Sequence, residues 1–281
     1  MSNDAMSMGA DFVIIGAMKA GTTSLYRYLA ADPRIGMSRD KETDYFVAEK
    51  NYGKGEAWYL GQFGPGREIY GEASPNYTKA DDFAGVPERI AAYNPSMKLI
   101  FIARDPVSRA VSQYRHSWTL NDITMSPDEL PGTHEWQHIV ATSRYARQLE
   151  AFREHFPDEQ ILVLDFKQLT GEPEAVMQRV YEFLGLRPAP FQTDGQHNDN
   201  AELSRIPAPL LRLAQSPFGR FTNRIVSRKM RDAIRGLLAR GERRDPGPFP
   251  PEVLRRLEDE LRDDAARFRA MTGMDFADWR V

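Results

Sequence analysis

The apolar run Phe12-Val13-Ile14-Ile15 enters the loop Gly16-Ala17-Met18-Lys19-Ala20-Gly21 and then a helix-forming stretch from Thr22 to Ala31 that Asp32-Pro33 closes; this restricts the chain more than any other feature. A short β-rich run feeding a tight loop and a helix is the opening of a βαβ unit, whose strands need parallel neighbours and apolar cover. The pattern recurs. Lys98 to Ala103 reads as a buried strand ending at Arg104-Asp105-Pro106, with Pro106 at the first turn of a helix from Val107 to Trp118. A third unit runs from a helix over about Ser143 to Phe156, through a strand from Gln160 to Asp165, to a helix from Pro173 to Leu184 stopped by Gly185. This alternation predicts an α/β fold, a three-layer α/β/α arrangement about a central, mainly parallel sheet, with ligands beyond the carboxyl ends of its strands.

Residues 34 to 97 carry little periodicity and are rich in Gly, Tyr, Trp and charge, as expected of loops and short helices walling a site. From Pro207 to Pro250 there are ten Lys or Arg against three Asp or Glu, a candidate lid, and an amphipathic helix then runs from about Pro251 to Met271. With 281 residues and 41% hydrophobic content, the chain suits a single domain over 1–281 with a substantial core. A formal charge of −3 gives no global attraction to nucleic acid. The absence of cysteine excludes disulfides, thiolate catalysis and Cys-ligated zinc. No run approaches the roughly 18 apolar residues of a membrane span, and no signal-like start is seen, so the expectation is a cytoplasmic protein without a membrane span.

The loop from Gly16 to Ser24 has the makings of a phosphate cradle. Backbone N–H groups and the helix N-terminus face an anion, Lys19 adds a point charge, and Thr22, Thr23 and Ser24 add hydroxyls. It is P-loop-like without being a Walker A loop, because Thr22 follows Gly21 where that motif demands lysine. Arg104 leaves a buried strand and can fork onto a second phosphate, with Ser112 two helical turns on, or it can pair with Asp105. His116 shares a helix face with Ser112 at i and i+4, and Glu42 is a carboxylate able to take a proton from an attacking hydroxyl.

At this point Lys19-Ala20-Gly21-Thr22-Thr23-Ser24-Leu25 resembles the 5′-phosphosulfate loop of the sulfotransferases that use 3′-phosphoadenosine-5′-phosphosulfate (PAPS). Lys98 to Trp118 resembles their strand, loop and helix for the 3′-phosphate, with Arg104 and Ser112 at the matching positions. Lys41-Glu42-Thr43-Asp44-Tyr45-Phe46 is similar to the Lys-Glu-x-x-Phe-Phe segment of the domains that modify heparan sulfate. Asn51 to Tyr59 is similar to their Tyr-x-x-Gly-x-x-Trp-Tyr, and Glu72 to Tyr77 to their Glu-Lys-Ser-x-x-Tyr. Ala73 departs from the lysine usual in the 3-O-sulfotransferases, and Ser112 to His116 resembles an N-sulfotransferase Ser-x-Tyr-x-His pattern.

The resemblance implies that Lys19, Ala20, Gly21, Thr22, Thr23, Ser24, Arg104, Ser112 and Arg205 hold PAPS, and that Lys19, Glu42 and His116 serve catalysis. Glu42 is the first choice of base and His116 the second. The implied reaction is in-line sulfuryl transfer to a hydroxyl or amine of a carbohydrate or small-molecule acceptor, releasing PAP without a metal. The competing readings are a P-loop-like kinase or nucleotidase, and a catalytically silent nucleotide-binding module.

Overall fold

A computed structural model describes residues 9–190 and 246–281. The chain divides into two compact units, one of Met1–Arg109, Val140–Thr193 and Leu257–Val281, the other of Ala110–Ile139 and Asp194–Arg256. The first holds a sheet of five strands: β1 (Phe12–Gly16), β2 (Ile35–Met37), β3 (Ile69–Ala73), β4 (Lys98–Ala103) and β5 (Ile161–Asp165). All pair in parallel in the order β2-β3-β1-β4-β5. Every residue of β1 and β3 is buried, which is why β1 reads as an unbroken apolar run rather than an alternating one. After β1 the chain builds to one side through β2 and β3, and then to the other through β4 and β5. The strand order therefore reverses beside β1, and in such sheets the crevice at the carboxyl ends at this point takes the ligand.

The helices among the described residues are α1 (Thr22–Ala31), α2 (Glu56–Leu60), α3 (Val86–Tyr93), α4 (Pro106–Leu120), α5 (His134–Ser143), α6 (Tyr145–Arg153), α7 (Phe166–Gly171), α8 (Pro173–Leu184) and α9 (Pro251–Thr272). The expected helices at 22–31 and 173–184 and the strand at 98–103 occur with those bounds. Among the described residues of the second unit, Tyr114 packs edge-on against Phe249 at 5.0 Å and donates its hydroxyl proton to the Met125 carbonyl at 2.9 Å. No helix among the described residues is long and apolar enough to cross a membrane.

One expectation is corrected, and one helix is found that was not expected. Residues 34–97 hold two strands, β2 and β3, as well as short helices. β3 reads Ile-Tyr-Gly-Glu-Ala, a poor strand by pattern. Its Gly71 lies opposite Phe12, and a Cβ there would come within 2.4 Å of that ring, so packing, not propensity, selects the glycine. The helix expected over about 143–156 occurs as α6, and α5, which no expectation covered, precedes it across a break at Arg144, whose φ −83° and ψ 80° are not helical. The start of α6 is capped from α9: Asp264 accepts the Ala146 and Arg147 amides at 2.9 and 3.1 Å. No local pattern shows a cap supplied from 117 or 118 residues away.

Candidate active site

The loop after β1 is fastened to β4 by the Ala17 amide, which donates to Ile102 O at 3.0 Å, and turns on itself through Ala20 N to Ala17 O at 3.1 Å. Lys19 (φ 67°) and Gly21 (φ 95°) both take left-handed backbone; Gly21 does so as the residue preceding α1 and without any side-chain cap. The first-turn amides of α1 are thus left without intrahelical acceptors, and no acidic side chain stands in that turn. Thr22 is buried, Ser24 half-buried and Thr23 exposed.

Lys19 extends from this loop into a desolvated, positively charged setting. Burial lowers its pKa from 10.5 to about 8, repulsion from Arg104 adds to this, Glu42 pulls it back up, and Lys41 and Arg109 depress it further. Among the described residues its ammonium has no hydrogen bond or ion pair. Arg104, just after β4, donates from Nη1 to Lys19 O at 3.2 Å and lies over the Phe166 ring, 4.8 Å from its centre. It does not pair with Asp105, whose carboxylate accepts the Ser108 amide at 2.7 Å and the Arg280 amide at 2.9 Å. Burial lowers the pKa of this guanidinium.

Glu42 is half exposed and ion-paired with Lys41 at 2.6 Å, and its charge reaches Lys19. An isolated cation cluster carrying one accessible carboxylate suits a polyanion with a proton to be removed nearby. Among the described residues no group of three or more His, Asp or Glu could hold a metal ion.

The family comparison agrees with this geometry: residues 10–206 match the sulfotransferase domain family. The chain belongs to that family. The human heparan sulfate glucosamine 3-O-sulfotransferase 5 is 33% identical over 189 residues, covering 63% of this chain and 53% of the relative. The mouse bifunctional heparan sulfate N-deacetylase/N-sulfotransferase 4 is 31% identical over 197 residues, covering 63% of this chain and 22% of the relative. The chain thus spans about half or less of the length of these two relatives. A crystal structure of a sulfotransferase from Alicyclobacillus acidocaldarius superposes with a TM-score of 0.70 at 23% identity, over 97% of this chain and 99% of that one, and has the same fold.

Of the residues picked out in the sequence, Lys19, Ala20, Gly21, Thr22, Thr23, Ser24, Glu42 and Arg104 all lie in the first unit, where Lys19 links loop, Glu42 and Arg104. Ser112 and His116 stand one turn apart on α4, in the second unit. Arg205 and nearly all of the basic stretch 207–250 lie outside the described residues. Two charged residues, Arg109 and Glu72, lie inside segments singled out in the sequence, but their burial is not legible there. Arg109 is fully buried, donates from Nε and Nη2 to Ser143 Oγ at 2.9 and 2.6 Å, and has its pKa lowered by burial to about 10. Glu72 is a carboxylate with no solvent exposure. An arginine or glutamate is ordinarily read as surface, so neither pattern betrays its burial.

Proposed function

We propose that this protein transfers the sulfuryl group of PAPS to a hydroxyl or amine of a carbohydrate or small molecule, as one domain spanning 1–281. The observation that carries this is Lys19: a desolvated ammonium at an uncapped helix N-terminus, without a partner among the described residues and flanked by Arg104 and Glu42. The donor set fits PAPS. The amides of Lys19 to Ser24 and the Lys19 ammonium would hold the 5′-phosphosulfate; Arg104, with Ser112 and Arg205, would hold the 3′-phosphate. Lys19 then stabilises negative charge gathering on the bridging oxygen as the sulfur–oxygen bond breaks, and being held in place beforehand makes that effect large. Glu42, partly solvated and beside a cation, accepts the acceptor's proton; His116 is the second candidate. The two heparan-modifying relatives support a carbohydrate acceptor, and the cysteine-free composition supports a cytoplasmic setting.

The test is calorimetric titration of PAP into the wild type and into Arg104→Ala and Lys19→Ala, with ATP and Mg²⁺ as the control. Tight PAP binding, weakened at least tenfold by each substitution, is expected. ATP bound in preference to PAP would overturn the reading in favour of a kinase, and PAP binding with no transfer to any acceptor would favour a silent module.

A further inference from the structure

We propose that Glu72 is a positioning residue of this site: its buried carboxylate, at the carboxyl end of β3, holds the segment Thr43–Phe46 and thereby keeps the adjoining Glu42 within the field of Lys19. The inference rests on the reading of Lys19 and Glu42 given above.

Four hydroxyls converge on Glu72. Thr43 Oγ1 and Ser74 Oγ (2.7 Å) donate to Oε2, while Tyr77 OH (2.7 Å) and Tyr59 OH (3.0 Å) donate to Oε1. Two donors on each oxygen is the full complement of an ionised carboxylate, which accepts only. Among the described residues no cation takes part, and the charge is held by O–H dipoles. Burial raises the Glu72 pKa and the four hydroxyls oppose that.

Three of the four hydroxyls pass the constraint to one segment. Ser74 Oγ accepts the Asp44 amide at 3.0 Å while giving its proton to Glu72. Tyr77 OH accepts the Phe46 amide at 3.3 Å while giving its proton to Glu72. Thr43 is bound directly, and its carbonyl accepts from Asn51 Nδ2 at 2.7 Å. The carboxylate thus decides which way each hydroxyl points, and only in that orientation do their lone pairs face the segment's amides. The segment needs holding: Asp44 has φ 45°, and Lys50 (2.6 Å) and Asn76 (2.9 and 3.1 Å) also grip its carboxylate. Glu72 itself is fixed to the sheet, in register with Val13 of β1, and Thr78 ties the following turn to Ile15 O at 3.1 Å. One buried carboxylate therefore joins the three family-like segments at 41–46, 51–59 and 72–77 to the strand that leads into the phosphate loop.

In Glu72→Gln the amide donates on one side, and either side it takes leaves two buried hydroxyl protons without an acceptor. The experiment is PAP titration by calorimetry from pH 7 to 10 on wild type, Glu42→Gln, Glu72→Gln and the double variant. The groups facing Lys19 are Arg104, Glu42, Lys41 and Arg109, and among them Glu42 alone holds its proton on. Affinity should fall through a midpoint near pH 8 in the wild type and at lower pH in Glu42→Gln. Glu72→Gln should lower the midpoint too, by less because Lys41 moves with Glu42, and should not lower it further in the double variant. Thr43→Val, which removes one leg and keeps shape, should shift it in the same direction, and Tyr59→Phe, whose hydroxyl grips no part of the segment, should not. A merely structural Glu72 would lower thermal stability and leave the midpoint at its wild-type value. That result, or a shift that adds to that of Glu42→Gln, overturns the proposal alone; a wild type that binds no PAP at any pH overturns the donor site and this proposal together.

Discussion

Lys19→Met should make the unliganded protein more stable while disabling its site. Keeping Lys19 protonated at pH 7 against a pKa drawn from 10.5 to about 8 costs about 3 kcal/mol, at about 1.4 kcal/mol per pKa unit. Methionine keeps most of the stem and removes the charge, so that figure is the ceiling of the gain; a real gain of about 1–3 kcal/mol corresponds to roughly 2–5 °C in Tm for a chain of this size. The sign can be checked with pH. Between about 8 and 10.5 the unfolded chain holds the Lys19 proton and the folded one does not, so wild-type stability rises with pH relative to the variant across that window and the gap closes. Saturating PAP should reverse the order, since ligand at a hundred times Kd adds about 2.7 kcal/mol to the wild type and the variant has lost its charged contact. Scanning calorimetry at pH 7 and 9.5, with and without PAP, reads all four states. A variant no more stable than wild type at pH 7, or a gap that widens with pH, refutes the claim that Lys19 is held strained for an anion.

Gly21→Ala places a side chain on left-handed backbone (φ 95°) and a Cβ 3.0 Å from the Phe166 ring. A loss of about 1–2 kcal/mol from the backbone alone is expected, with PAP binding abolished; thermal unfolding and calorimetry check the pair, and retained binding would separate the loop from the ligand. Asp264→Ala removes the carboxylate that accepts the first amides of α6. A loss of about 1–2 kcal/mol is expected in urea unfolding, together with faster hydrogen exchange at the Ala146 and Arg147 amides and unchanged PAP affinity.

The parts of the fold legible in the sequence are those in which local chemistry and burial agree. β1, β4, α1 and α8 announce themselves because a strand covered on both faces is apolar along nearly its whole length, and because Asp32-Pro33 and Gly185 stop the two helices. β3 is hidden because its glycine answers to Phe12 and its glutamate to four hydroxyls, both demands made by residues elsewhere in the chain. The break at Arg144 is hidden for the same reason, its compensating cap coming from α9.

The division within the site is similar. The order of residues along 16–24 is enough to specify an anion cradle, because amides at a helix N-terminus, a lysine and hydroxyls act through groups contiguous in the chain. Whether Arg104 turns to Asp105 or to the loop, how far Lys19 is stripped of water, and that Glu72 lies at the hub of three separate segments depend on strands brought together in parallel from β1, β3 and β4. A charge's solvation and its neighbours are set by every element around it; the sequence names the group, and only the packed structure decides its energy.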